Sequence, residues 1–146
     1  MRRFHRPRRP VRVLLVEDND VYARTLQLLF DGHQSVQVVG RACDGGEGVA
    51  LALALRPDCV LMDVSMPVLN GFEATARLSE ELPSARVVML TSSDDPADRA
   101  RARAAGAADY LTKDADPETL EAALTGDTPV RLADAPHRFL MVVLPA

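Results

Sequence analysis

Lysine is nearly missing from this chain of 146 residues: of 17 basic side chains, 16 are arginine and one, Lys113, is lysine. A chain that uses the planar guanidinium almost everywhere has placed a compact ammonium on a flexible stem once, which marks Lys113 for scrutiny. Cysteine is scarce as well. Cys43 and Cys59 are too few for a disulfide scaffold and lack metal-ligand spacing. Both lie in apolar stretches, which predicts two small buried core residues. No apolar run approaches the ~20 residues that span a bilayer, so a transmembrane helix is excluded. Behind the basic start, the apolar run Val11–Val16 is short and interrupted by Arg12, which is not a secretory leader. A cytoplasmic protein without membrane attachment is expected.

What is present suits one soluble domain: 47% hydrophobic and 26% charged residues. The first ten residues hold five arginines and no acid, and residues 1–10 are expected to form a solvated, disordered basic arm. The rest carries twelve basic and 21 acidic side chains, a net of −9, which argues against nucleic acid as its partner. Five β-type runs recur at regular intervals: Val11–Val16, Val36–Ala42, Cys59–Asp63, Arg86–Thr91 and Asp109–Thr112. Helix-period segments separate them, several opening on clear caps. Asn19 or Asp20 can cap the first helix, Asp44 with Glu47 the second, and Asn70 with Glu73 the third. Asp95-Pro96 and Asp116-Pro117 open the fourth and fifth, each with proline at the first helical position. Alternating strands and helices with such links imply a parallel, doubly wound α/β sheet covered on both faces. Residues 126–146 are too few for a second domain. With their apolar run Phe139–Leu144 they are expected to pack on the core or add an edge strand, with no separate output domain.

In a parallel sheet, every strand ends at one rim. The first strand delivers Glu17 and Asp18 there, the third Asp63, the fourth Thr91 and the fifth Lys113, while the second ends in nothing chemical. Carboxylates crowded at an apolar rim repel one another unless a cation neutralises them. Oxygen ligands without histidine or cysteine suit a hard ion such as Mg²⁺. With one amine and one hydroxyl added, the set suits phosphoryl transfer.

At this point the motifs match a family. Val16-Glu-Asp18, Leu61-Met-Asp-Val-Ser-Met-Pro67 with Gly71, Met89-Leu-Thr-Ser92 and Ala107-Ala-Asp-Tyr-Leu-Thr-Lys113 strongly resemble the receiver domains of two-component response regulators, over about residues 11–125. The resemblance implies a flavodoxin-like (βα)5 fold with strand order 2-1-3-4-5. It casts Asp63 as the phosphoacceptor, charged by the phosphohistidine of a sensor histidine kinase. It implies Mg²⁺ on Asp18, Asp63 and the Ser65 carbonyl, with Glu17 acting through water. Thr91 and Lys113 would grip the phosphoryl group, and Tyr110, three residues before the lysine, would turn inward as Thr91 moves. That rotation would remodel the surface of helix 4, strand 5 and helix 5 for a downstream protein or a homodimer, the latter also possible through helices 1 and 5. Pro67 and Gly71 would shape the loop after Asp63, and the small Ser92 and Ser93 flank the pocket.

One departure is that Asp114 stands where the family usually has proline, so a trans Lys113–Asp114 peptide is expected. Lys-Asp-Ala at this point resembles the subgroup linked to helix-turn-helix output domains. With only about 20 residues beyond the domain, direct DNA binding by this chain is not expected. The Arg-rich stretch Asp95–Arg103 suits a solvated face or an acidic partner. Two rivals stay open. Asp18-Asn-Asp20 is similar to the Asp-x-Asp of haloacid-dehalogenase-like phosphohydrolases, though that reading leaves Asp63–Pro67 without a purpose. The other is a phosphorylation-independent receiver that serves as an interaction or dimerisation module, with Phe139–Leu144 as its best support.

Overall fold

A computed structural model describes residues 9–66, 68–92 and 94–126. The expected arm and tail, together with Pro67 and Ser93, lie outside the described residues apart from Arg9, Pro10 and Gly126. Ten elements alternate: β1 (Val11–Val16), α1 (Asp20–Phe30), β2 (Val36–Ala42), α2 (Gly45–Leu55), β3 (Cys59–Asp63), α3 (Gly71–Glu81), β4 (Arg86–Thr91), α4 (Pro96–Ala105), β5 (Asp109–Thr112) and α5 (Pro117–Thr125). The strands form one parallel sheet in the order β2-β1-β3-β4-β5.

The two-residue period of a strand sorts side chains to opposite faces, and here both faces are buried. Val13 and Leu15 of β1, Cys59 and Leu61 of β3, and Val88 and Leu90 of β4 pack on one face with Leu26 and Phe30 of α1 and Leu120, Ala123 and Leu124 of α5. Their neighbours Leu14, Val16, Val60, Met62, Val87 and Met89 pack on the other face with α2, α3, α4 and Tyr110 of β5. Continuous apolar runs are therefore what the inner strands require. The edge strand β2 is only partly covered, and its pairing with β1 shifts register at Val13/Leu14.

The caps behave as the sequence suggests. The Asn19 side chain, not that of Asp20, accepts from the Tyr22 amide at 2.8 Å. Asn70 and Glu73 close a full capping box, and Asp44, Asp95 and Asp116 each accept from a first-turn amide. One expectation fails. Cys59 is fully buried, but Cys43 is exposed, because it lies just past the end of the edge strand, in the turn that leads into α2. Among the described residues no helix is long and apolar enough to cross a membrane.

Candidate functional site

The C-terminal rim of the sheet assembles the residues that the sequence placed there. Glu17 and Asp63 are buried and Asp18 is exposed, yet one oxygen from each lies within 4.8 Å of the others. Lys113 Nζ spans the cluster, 3.1 Å from Glu17 Oε1 and 3.2 Å from Asp63 Oδ1. Thus three carboxylates face one ammonium. Burial first, and then the charge of Glu17, push the Asp63 carboxyl up to about 6, against the pull of Lys113. Burial works to lower the Lys113 pKa, but its bonds to Glu17 and Asp63 and their charges outweigh it, and the pKa is raised. The ammonium stays charged, and the site retains an excess of negative charge.

Backbone register brings the phosphoryl-binding candidates alongside. Asp63 pairs with Leu90 across the ladder, so Thr91 is one residue further toward the rim. The Lys113 amide donates to the Thr91 carbonyl at 2.7 Å. Thr91 is buried, and its side chain is hydrogen-bonded to the hydroxyl of the buried Tyr110. Burial raises the Tyr110 pKa, and the Thr91 bond opposes that rise. The Arg99 guanidinium sits 5.1 Å from the centre of the Tyr110 ring and so joins α4 to this residue.

The loop after Asp63 is held by its backbone. Val64 donates its amide to the Leu90 carbonyl and accepts from the Gly71 amide at 2.9 Å. A Cβ at Gly71 would stand 2.2 Å from the Asp63 carbonyl oxygen, so only glycine lets α3 start this close. Ser65 and Ser92 are exposed beside the pocket. Val68 is 84% exposed with φ 69°, a left-handed conformation that a β-branched residue adopts only at a cost. All peptides among the described residues are trans, Lys113–Asp114 included.

Two contributors carried no signal of their own in the sequence. Tyr22, on the first turn of α1, places its ring 4.7 Å from Lys113 Nζ and braces the lysine. Arg41 overturns the expectation that the second strand ends in nothing chemical. Its Nε and Nη2 donate to the Glu17 carbonyl, and its Nη1 lies 2.8 Å from Asp20 Oδ1. A penultimate strand residue was passed over because its reach, not its place, brings it to the rim.

Chemically, the rim offers a hard, anionic oxygen cluster with one fixed cation and a nearby hydroxyl. That donor set suits a divalent ion such as Mg²⁺, since one ammonium only partly compensates the three carboxylates and no softer ligand is present among the cluster. The fold, the order of these residues and their convergence define a signalling receiver. The chain belongs to the response regulator receiver domains, and the family model matches residues 13–125. These are the signalling domains of two-component systems, in general not enzymes.

The chain is 43% identical over 113 residues to protein PilH of Pseudomonas aeruginosa, covering 75% of this chain and 90% of PilH. It is 36% identical over 115 residues to the nitrate/nitrite response regulator NarL of Escherichia coli K12, covering 79% of this chain and 53% of NarL. Of NarL and two similar transcriptional regulatory proteins of Bacillus subtilis, LnrK and LiaR, the chain spans about half the length. Among solved structures it is similar to a LuxR-family two-component response regulator from Aurantimonas sp. SI85-9A1. The TM-score is 0.74 and the identity 32%, with 80% of this chain and 86% of that one covered.

Proposed function

We propose that the chain accepts a phosphoryl group on Asp63 from the phosphohistidine of a sensor histidine kinase, and that this alters a protein-binding surface on α4, β5 and α5. The observation that carries the reading is the Lys113 ammonium bridging Glu17 and Asp63 within a cluster of three carboxylates. In the transfer, an Asp63 carboxylate oxygen forms a bond to phosphorus as the bond from the histidine nitrogen breaks, and that nitrogen keeps the electron pair. Asp18, Asp63 and the Ser65 carbonyl would hold Mg²⁺, with Glu17 acting through water. When bound, the ion supplies positive charge to the phosphoryl oxygens. Lys113 supplies a second positive charge at a fixed position, and its partners here are the groups it would share with the phosphoryl oxygens. Burial keeps Asp63 short of competing water.

Thr91 links the chemistry to the surface. Its side chain is already engaged with Tyr110, and a phosphoryl oxygen on Asp63 would compete for the same hydroxyl. Losing that bond frees Tyr110 to change its position, and Tyr110 carries Arg99 of α4 with it. Gly71, by letting α3 start against the Asp63 carbonyl, shapes the pocket, and neither it nor the exposed Ser92 takes part in the transfer. The test is incubation with acetyl phosphate and Mg²⁺, read by intact mass. One added phosphoryl group is expected on the wild type and none on Asp63→Ala. Equal labelling of both proteins, or no labelling of either, overturns the reading.

A further inference from the structure

The edge strand β2 sends one side chain into the rim. The β1–β2 ladder ends where the Glu17 amide donates to the Ala42 carbonyl at 3.0 Å. Beyond that point the chain turns away into α1, and the Glu17 carbonyl has no strand partner left. Arg41 takes it, with Nη2 at 2.8 Å and Nε at 3.1 Å on the same oxygen. The remaining arm of the fork pairs with Asp20 at 2.8 Å. One planar cation therefore clamps the loop 17–20 at both of its ends. Between those ends the Asn19 amide donates to Glu17 Oε2, which orients the Glu17 carboxylate toward the cluster. Asp20 follows closely on Glu17 and Asp18 in the chain, yet its carboxylate is not among the three that converge.

We infer that Arg41 is a positioning residue for the cation site: by holding the Glu17 carbonyl and drawing the Asp20 carboxylate outward, it sets Glu17 and Asp18 in the geometry that binds the ion. This rests on the reading of the rim as a Mg²⁺ site. A fork that grips a carbonyl and a carboxylate together is a task for arginine, and lysine can do only part of it.

The sign of the effect separates this role from simple electrostatics. Removing a cation from the border of an anionic site should by charge alone tighten Mg²⁺ binding. Loss of positioning should weaken it. Mg²⁺ affinity of the full chain is measured by titration calorimetry without any phosphodonor, beside thermal midpoints taken in EDTA. Arg41→Ala is expected to bind Mg²⁺ roughly three- to tenfold more weakly, the scale of one or two lost hydrogen bonds, with Arg41→Lys between it and the wild type. Affinity equal to or tighter than the wild type in Arg41→Ala overturns the inference. If Arg41→Ala fails to fold, Arg41→Lys decides alone: weaker binding supports the role, and unchanged or tighter binding rejects it. A wild type that binds no Mg²⁺ defeats the reading of the rim itself and takes this inference with it, an outcome distinct from a wild type that binds while the variants match it.

Discussion

Two aspartates flank the same strand and have opposite fates. Asp58, just before β3, accepts from both terminal nitrogens of Arg9 at 3.1 Å and from the Arg12 amide at 2.8 Å. The Arg9 hydrogen bond first, helped by Arg12, holds its carboxyl below the ordinary range despite partial burial. Asp63, the last residue of β3, shares one lysine with Glu17 and is pushed up to about 6. The same residue type at two ends of one strand is satisfied at one and under-compensated at the other. A carboxylate with its bonds complete serves the fold, whereas one held among like charges is poised for a cation or an electrophile. The N-terminal edge of the sheet repeats the first pattern. There Arg12 donates to the Arg56 and Leu55 carbonyls at the end of α2, and Arg86 to the Ala123 carbonyl of α5.

The largest break in this contrast is the loss of the ammonium that Glu17 and Asp63 share. Lys113→Ala leaves Glu17 and Asp63 without the ammonium they share and removes a fixed charge from the path of the phosphoryl group. We expect phosphorylation by acetyl phosphate to slow by roughly 100-fold or more, the scale of losing one preorganised donor. A time course by intact mass measures it, and a change under about tenfold would remove Lys113 from the chemistry. Gly71→Ala comes next. Its Cβ would meet backbone, not a flexible side-chain end, 2.2 Å from the Asp63 carbonyl oxygen and 2.9 Å from the Val64 Cα. A stability loss of about 1–3 kcal/mol is expected from chemical denaturation. Slower labelling should accompany it, since the atom that must move belongs to the acceptor. Asp58 has no such constraint.

The strands were legible because their chemistry is redundant: runs such as Val13–Val16 and Val60–Met62 leave a parallel strand buried on both faces as the consistent solution. The rim could be read because each acid ends a strand, and strand ends share an edge. What the sequence hid was reach. Arg41 is adjacent to nothing reactive in the chain, and only the length of its side chain brings it from β2 to Glu17 and Asp20. That pairing also explains the cap of α1: Asp20 is engaged with Arg41, and Asn19 caps the helix. Tyr22 reads as one more apolar helix position until α1 is docked against Lys113. Cys43 misled because its apolar neighbours precede the end of an edge strand, and burial does not extend past that end.

The finer tests use pH and compare the two aspartates directly. The folded chain keeps a proton on Asp63 up to about pH 6, while the unfolded chain gives it up near the ordinary 3.8. Between these values folding takes up a proton, so stability falls as pH rises through the window and the full cost is present above it. Asp63→Asn removes that cost. In EDTA at about pH 7.5 the variant should melt a few degrees above the wild type, about 1–2 kcal/mol, and the gain should vanish near pH ~4. A gain of the same size at both pH values would mean that the charge of Asp63 is not its source.

Asp58→Asn should do the reverse on a smaller scale. Its folded pKa is lowered, so the stability it contributes is present above the ordinary 3.8 and lost as pH falls through the lowered value. At the same near-neutral pH the variant should therefore melt slightly below the wild type, by under about 1 kcal/mol because the ion pair with Arg9 is exposed to solvent. High salt should shrink the difference further. An asparagine side-chain oxygen at this position would still accept from the Arg12 amide, so what is lost is the charge that meets Arg9. If Asp58→Asn instead raised the melting point at neutral pH, the two ends of β3 would not differ in the way their bonds imply, and the excess charge at the rim would cease to distinguish the site from the rest of the surface.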